Sequence, residues 1–279
     1  MSVTASRKRR HAPSAFGDDL RRFWNLTTTL AATDFKLRYF GSVLGYFWSL
    51  ARPLMFFGVL YTVFTQVLRF GGDIAHYPVY LLTSIILWTF FVDTTNACVQ
   101  CLVAREGLLR KMRFPRLVIP LSVALTALFN LGTNLIAVLV FAVASGVEIR
   151  WTWIEMVPIV AVLAVFAVGI GMLLSVLFVR FRDIQPIWEV LSQILFYGSP
   201  ILYVSAQYED FEQAAVMTNP IAALLTQMRR AFIDPNAPGL VTAAGGKLCA
   251  LVPFVIVAVV FALGLWVFSR EAPRIAENL

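Results

Sequence analysis

The sequence predicts an all-α integral membrane protein. It reads as six transmembrane helices with an N-terminal interfacial amphipathic helix, a re-entrant or amphipathic helix before the last span, and both termini in the cytoplasm. Composition is the first observation behind this: of 279 residues, 59% are hydrophobic and only 14% charged, with a mean hydropathy of +0.77. Soluble domains run near 45–50% apolar and about 25% charged, and a globule of this length cannot hide the excess. Six apolar runs of spanning length are the second observation. The third is the placement of basic residues between those runs. Together they exclude an ordinary cytosolic enzyme, a disordered chain and a nucleic-acid-binding module.

The elements follow in order. Residues 1–15 hold Arg7-Lys8-Arg9-Arg10 without an apolar run behind them, which predicts a disordered basic tail and no cleavable signal peptide. Residues 16–43 carry Phe16, Leu20, Phe23, Trp24, Leu30 and Leu37 among charges, the pattern of a helix lying in the membrane interface. Residues 44–279 form the transmembrane domain, with spans expected at 44–68, 78–102, 118–144, 157–179, 184–204 and 250–268. Helices are required because backbone polar groups in lipid must be satisfied within their own segment.

Eighteen of the 23 lysines and arginines fall on the side holding 1–52, 103–117, 180–183 and 269–279, which makes that side cytoplasmic. Tyr77, Tyr80, Trp151 and Trp153 then fall in the outer aromatic belt, and Tyr46 and Trp48 in the inner one. The outer stretch 205–249 is too long for a turn. There Asn219-Pro220 precedes Ile221, Leu224, Leu225, Met228, Phe232 and Ile233 at helical spacing, and Asp234-Pro235-Asn236 ends the pattern.

Several chemistries are absent. No phosphate-binding loop occurs, since Gly245-Gly246-Lys247 lacks the rest of one, and there is no His-Glu-x-x-His. Cys98 and Cys101, spaced as half a zinc or redox motif, sit in an apolar run and read as packing residues. The chain is therefore expected to perform no covalent chemistry and to bind no cofactor. Two acids fall inside spans, and each must face protein, water or a cation. For Asp93 a polar path and a structural Arg pair stand open; Glu189 reads as snorkelling to the cytoplasmic edge.

Four stretches bring in a resemblance. Asp34-Phe35-Lys36-Leu37-Arg38-Tyr39 leads to Ser42-Val43-Leu44-Gly45 and Trp48; Leu108 to Arg116 is followed by Ile119-Pro120-Leu121; Arg182-Asp183-Ile184 leads through Trp188 to Ser199-Pro200-Ile201; Asn219-Pro220 comes last. In this order, over roughly residues 30–270, the chain resembles the permease subunit of ABC-2-type exporters, in the branch exporting polysaccharide, O-antigen and teichoic acid.

The resemblance implies a permease that pairs with a second copy of itself and docks two copies of an ABC nucleotide-binding subunit. ATP and magnesium would act in that partner subunit, driving a lipid-linked glycan through the cytoplasmic (inner) membrane; membrane lipid is a further partner and nucleic acid is none. The segment with Asp34, Lys36, Arg38 and Tyr39 resembles the family's gate helix. Arg105, Arg110, Lys111, Arg113, Phe114, Pro115 and Arg116 look like its coupling segment, where Phe114-Pro115 makes an apolar knuckle. Phe90, Asp93, Trp188, Tyr197, Pro200 and Tyr203 are candidates for the translocation path, aromatic rings offering faces to sugars. A break at Gly198-Ser199-Pro200 is expected to face the path or the dimer axis rather than lipid. Two other readings stay open: an ABC-type drug or lipid exporter, separated by the genes that neighbour this one, and a membrane enzyme of polyprenyl-linked sugars, which would need an acid or histidine cluster.

Overall fold

A computed structural model describes residues 20–39, 43–69, 74–111, 114–204 and 210–278. The basic tail 1–15, the start of the interfacial segment and Arg113 lie outside them. Among the described residues the chain is helical and has no strand.

Helix α1 (Leu20–Tyr39) buries one stripe, Phe23, Thr27 and Ala31, at four-residue spacing and leaves Leu20, Trp24 and Leu37 exposed. Helix α2 (Val43–Thr62) ends in a π-turn over Val63–Val67 and carries Pro53 inside it. Helix α3 (Tyr77–Ala104) starts after His76 in the left-handed region, with Pro78 in its first turn, where no intrahelical donor is needed. The short α4 (Glu106–Lys111) leads to α5 (Val118–Ala144). After a 3-10 turn at Trp151–Glu155 comes α6 (Met156–Arg180), then α7 (Ile184–Tyr197). The outer segment holds α8 (Asp210–Val216), α9 (Pro220–Met228), a π-turn at Arg229–Ile233 and α10 (Leu240–Ala243). Helix α11 (Lys247–Asn278) closes the chain.

Among the described residues, five helical stretches are long and apolar enough to cross a membrane: Phe47–Val67, Tyr77–Ala104, Val118–Ala144, Trp151–Arg180 and Lys247–Glu271. The run 184–204 differs. Its helix has 14 residues, about 21 Å against a hydrocarbon core of about 30 Å, and irregular backbone follows from Gly198.

Helix α3 is the hub, packed against α2, α5, α6 and α7. Its rings join the main core, where Phe91 stacks on Phe166 at 5.5 Å and packs beside Trp188. A second cluster gathers Phe23, Leu109, Leu117, Val118, Met172 and Phe268, with Phe114 against it. Helices α6 and α11 cross at two glycines: a Cβ on Gly264 would lie 2.4 Å from the Gly169 carbonyl oxygen, so only glycine allows this approach. Arg180 and Glu271 pair at 2.8 Å across the same two helices. Cys98 and Cys101 are buried free thiols; a Cβ on Gly171 would sit 2.8 Å from the Cys98 sulfur, so Cys98 packs tightly against that glycine.

Candidate translocation surface

The site is built on α3. Its buried faces are mostly apolar, while Asp93, Asn96 and Gln100 are exposed and Thr89 is half-buried. Spacings of four, three and four residues put these four on one face of the helix. A polar stripe thus runs along the most buried span of the chain. Two further helices extend it. On α7, Gln185 accepts a hydrogen bond from Gln100 and its own amide donates to Glu189 at 3.2 Å. On α5, Asn130 and Asn134, one turn apart, face Asp93 across a cavity.

That cavity has two lobes. One, of about 510 Å³, lies among Arg38 of α1, Trp48, Ser49 and Arg52 of α2, Asp93 and Asn96 of α3, and the two asparagines of α5. The other, of about 230 Å³, shares Arg38, Thr89, Asp93, Asn130 and Asn134 and reaches Phe90, Asp34 and Arg105. Asp93 feels the charges of both Arg38 and Arg52. Asp93, Arg38 and Arg52 thus border one cavity. Glu189 belongs to the Gln100–Gln185 ladder rather than standing alone.

Asp34 and Arg105, expected in separate segments, form an ion pair, and Arg105 Nη1 also donates to Ser122 Oγ at 2.8 Å. Arg105 is therefore occupied inside the chain. Thr126 ties the same region, its hydroxyl placed 3.3 Å from the Ala31 carbonyl and 2.9 Å from that of Ser122. Phe114, Pro115 and Arg116 are half-buried. For Arg110, Lys111 and Tyr39 only the backbone is described, and it is helical; Lys36 is exposed on α1.

The aromatic candidates separate. Trp188 is 6% exposed, and its indole nitrogen donates to Thr95 Oγ1 at 3.1 Å. It is a core residue of this chain, because its ring is held between α3 and α7. Phe90 is 4% exposed but borders the smaller lobe. Tyr197 is 70% exposed. Tyr203 is half-buried and donates to the Tyr197 carbonyl at 3.1 Å. Pro200 is buried, and its carbonyl accepts from the Tyr80 hydroxyl.

Tyr77 and Tyr80 correct the aromatic-belt expectation: each is 3% exposed. Tyr77 donates to the Leu202 carbonyl at 2.9 Å, and the Tyr80 hydroxyl lies 2.9 Å from the Tyr203 carbonyl besides its bond to Pro200. Their hydroxyls satisfy backbone that the break after α7 leaves without helical partners. Asn219 completes the joint: its Oδ1 accepts from the Ile221 amide to cap α9, and its Nδ2 donates to Ser199 Oγ at 2.9 Å. Trp151 is exposed, while Trp153 is half-buried and packs on Phe232 at 4.8 Å.

Sequence reasoning missed Thr89, Asn96, Gln100, Asn130 and Asn134. Their helical spacing within apolar runs was the available signal.

Helices of membrane-crossing length that carry a polar stripe make this a membrane protein. The chain belongs to the ABC-2 type transporter family, which matches residues 25–233. It is similar to the O-antigen export system permease protein RfbA of Klebsiella pneumoniae, 28% identical over 262 residues that cover 94% of this chain and 97% of the relative. RfbA of Myxococcus xanthus is 28% identical over 222 residues, 79% of this chain and 85% of the relative. The polysialic acid transport protein KpsM of Escherichia coli is 22% identical over 245 residues, 86% of this chain and 91% of the relative. The protein is a multi-pass inner-membrane permease.

Proposed function

We propose that this chain is the permease subunit of an ATP-driven exporter that moves a lipid-linked polysaccharide across the inner membrane. The observation that carries the reading is the polar seam of α3, α5 and α7. Asp93, Asn96, Gln100 and Glu189 are exposed in the single chain. A charged side chain facing lipid at this depth costs at least about 2.5–3.5 kcal/mol, so the seam must face water or a second copy. Two copies paired across a two-fold axis would enclose a hydrated path between their seams. Amides and carboxylates offer weak, repeated donors and acceptors, which suits a hydroxyl-rich polymer that must keep sliding. The names of the relatives, which export O-antigen and polysialic acid, support a glycan over a drug.

The crossing count of six follows when α7 and the tyrosine-clamped segment 198–204 together complete the fifth passage. Irregular backbone at membrane depth is tolerated only inside protein or beside water, and the clamp supplies that protection. Both termini then lie in the cytoplasm, with α1 along the inner interface as a gate. ATP and magnesium act in two copies of a separate nucleotide-binding subunit. That subunit docks on Arg110, Lys111, Arg113, Phe114, Pro115 and Arg116, while Arg105 relays its motion to Asp34 of the gate helix.

The test is reconstitution with the nucleotide-binding subunit in nanodiscs. ATPase activity should rise several-fold with a lipid-linked glycan and stay at its basal level with hydrophobic drugs. Stimulation by the drugs alone would contradict the assignment.

A further inference from the structure

At the outer end of α3 a guanidinium is buried without being fully matched. Arg229 opens the π-turn that follows α9, and its side chain is 12% exposed. Its counter-charge is Asp234, 18% exposed, with Nη2 and Oδ2 3.9 Å apart. That is beyond hydrogen-bond length, whereas Arg180 and Glu271 meet at 2.8 Å. The buried Nε of Arg229 has no hydrogen-bond partner among the described residues. Its Cζ lies instead 5.9 Å from the centroid of the Tyr80 ring, at the reach of a cation–π contact. A buried cation with an idle donor is costly, and it calls for a state in which that donor is used.

The surroundings supply that state. Tyr80 clamps the broken segment after α7, its hydroxyl reaching the carbonyls of Pro200 and Tyr203. One hydroxyl carries one proton, so it serves these carbonyls in turn rather than together. Arg229 lies on the ring of the same tyrosine with an N–H to spare. The backbone beneath it is also of a kind that can change. The Asp234 amide donates to the Arg229 carbonyl at 2.9 Å, closing a turn one residue longer than an α-turn. Shortening it to an α-turn would break that bond and shift Asp234 relative to the guanidinium. The neighbouring Arg230 is exposed and lies against Gly239, on a different surface.

The geometry points to Arg229 as the latch of the outer mouth of the path. With the mouth shut, its guanidinium holds the Tyr80 ring and Asp234, and Tyr80 holds segment 198–204 in place. With the mouth open, Tyr80 releases the segment and the idle Nε takes one of its carbonyls, so the moved backbone keeps a partner. Arg229 acts through Tyr80 and touches no glycan, which makes it a positioning residue. The inference rests on the reading of the chain as an exporter whose path ends beside this segment.

The test uses the permease with its nucleotide-binding subunit in proteoliposomes. Leakage of radiolabelled sorbitol without ATP reads the shut mouth. ATPase activity stimulated by a polyprenyl diphosphate-linked oligosaccharide reads opening. Arg229→Gln removes the latch and should raise the leak about fivefold or more. Arg229→Gln combined with Asp234→Asn removes both charges, so that no ion is left buried alone, and should leak equally. Arg229→Lys keeps a charge for the ring and for Asp234 but puts a methylene where Nε was. It should stay tight, while the maximal stimulated rate falls about threefold or more at an unchanged half-saturating glycan concentration. Arg230→Gln should match wild type in both measurements. A residue that only stabilised the fold would not separate leak from turnover in this way. A tight double variant would overturn the proposal, and so would a lysine variant indistinguishable from wild type or from the glutamine variant. The two readings fail differently. If the wild type shows no glycan stimulation yet the glutamine variants leak, the substrate reading fails and the latch stands. If the wild type is stimulated and the glutamine variants stay tight, the latch alone fails.

Discussion

Arg105 shows how one residue changes meaning between sequence and structure. In the sequence it is one of five basic residues in a loop, and the charge bias alone explains it. In the fold it bonds Asp34 and Ser122 and so joins α1, α5 and the start of α4. The pair is partly exposed, so its loss is expected to cost roughly 1–2 kcal/mol once screening is allowed for. We expect Arg105→Ala to lower transport while the permease still binds its partner subunit. The exchanged pair Asp34→Arg with Arg105→Asp should recover part of the loss; no recovery would show that the contact does not carry motion. Tyr80 makes a sharper case. Tyr80→Phe leaves carbonyls of the 200–203 segment without their donor, at about 1–3 kcal/mol, read as a lower melting temperature in detergent. Nothing in a sequence window around Tyr80 reveals this role, because its partners lie 120 and 123 residues away. A tyrosine at the end of an apolar run reads by default as a belt residue.

At the scale of elements, long apolar runs were legible to within a few residues. The expected 118–144 is α5 itself, and 78–102 is α3 less its ends. Length and hydropathy are local quantities, and α-helix is the one answer lipid allows an isolated run. What those runs do was harder to read. Aromatic residues were expected to line the path, but Trp188 is held in the core by Phe91 and Thr95. The signal for the polar seam was present in Asp93, Asn96 and Gln100, spaced for one helix face. It is weak beside fourteen or more apolar neighbours, and only packing decides which face stays open. Phe114 packs against the cluster containing Phe23 of α1, which ties the loop to that helix. Replacing Phe114 and Pro115 by Ser and Gly should uncouple ATP hydrolysis from export in a protein that still inserts; unchanged export would remove the role assigned to the knuckle. Gly264→Val should separate α6 from α11 and lower stability by about 1–3 kcal/mol, checked by thermal unfolding.

For the whole molecule, the charge bias predicts a side for every loop, while the structure adds which surfaces remain to be covered. Cysteine labelling checks the orientation. In a variant without Cys98, Cys101 and Cys249, position 107 should react only from inside and position 151 from outside; the reverse would invert the protein. The exposed faces of α2, α7 and α11 are largely apolar and suit lipid, whereas the seam does not. The central claim is that exported glycan slides along this seam. Its most direct measurement places a photoreactive residue at Asn96, at Gln100, at Tyr197 or at Val255 on the apolar face of α11, and irradiates during export. The account predicts glycan adducts at positions 96 and 100 that require ATP, and none at 255. Adducts at 255, or at 197 without any at 96 and 100, would contradict it.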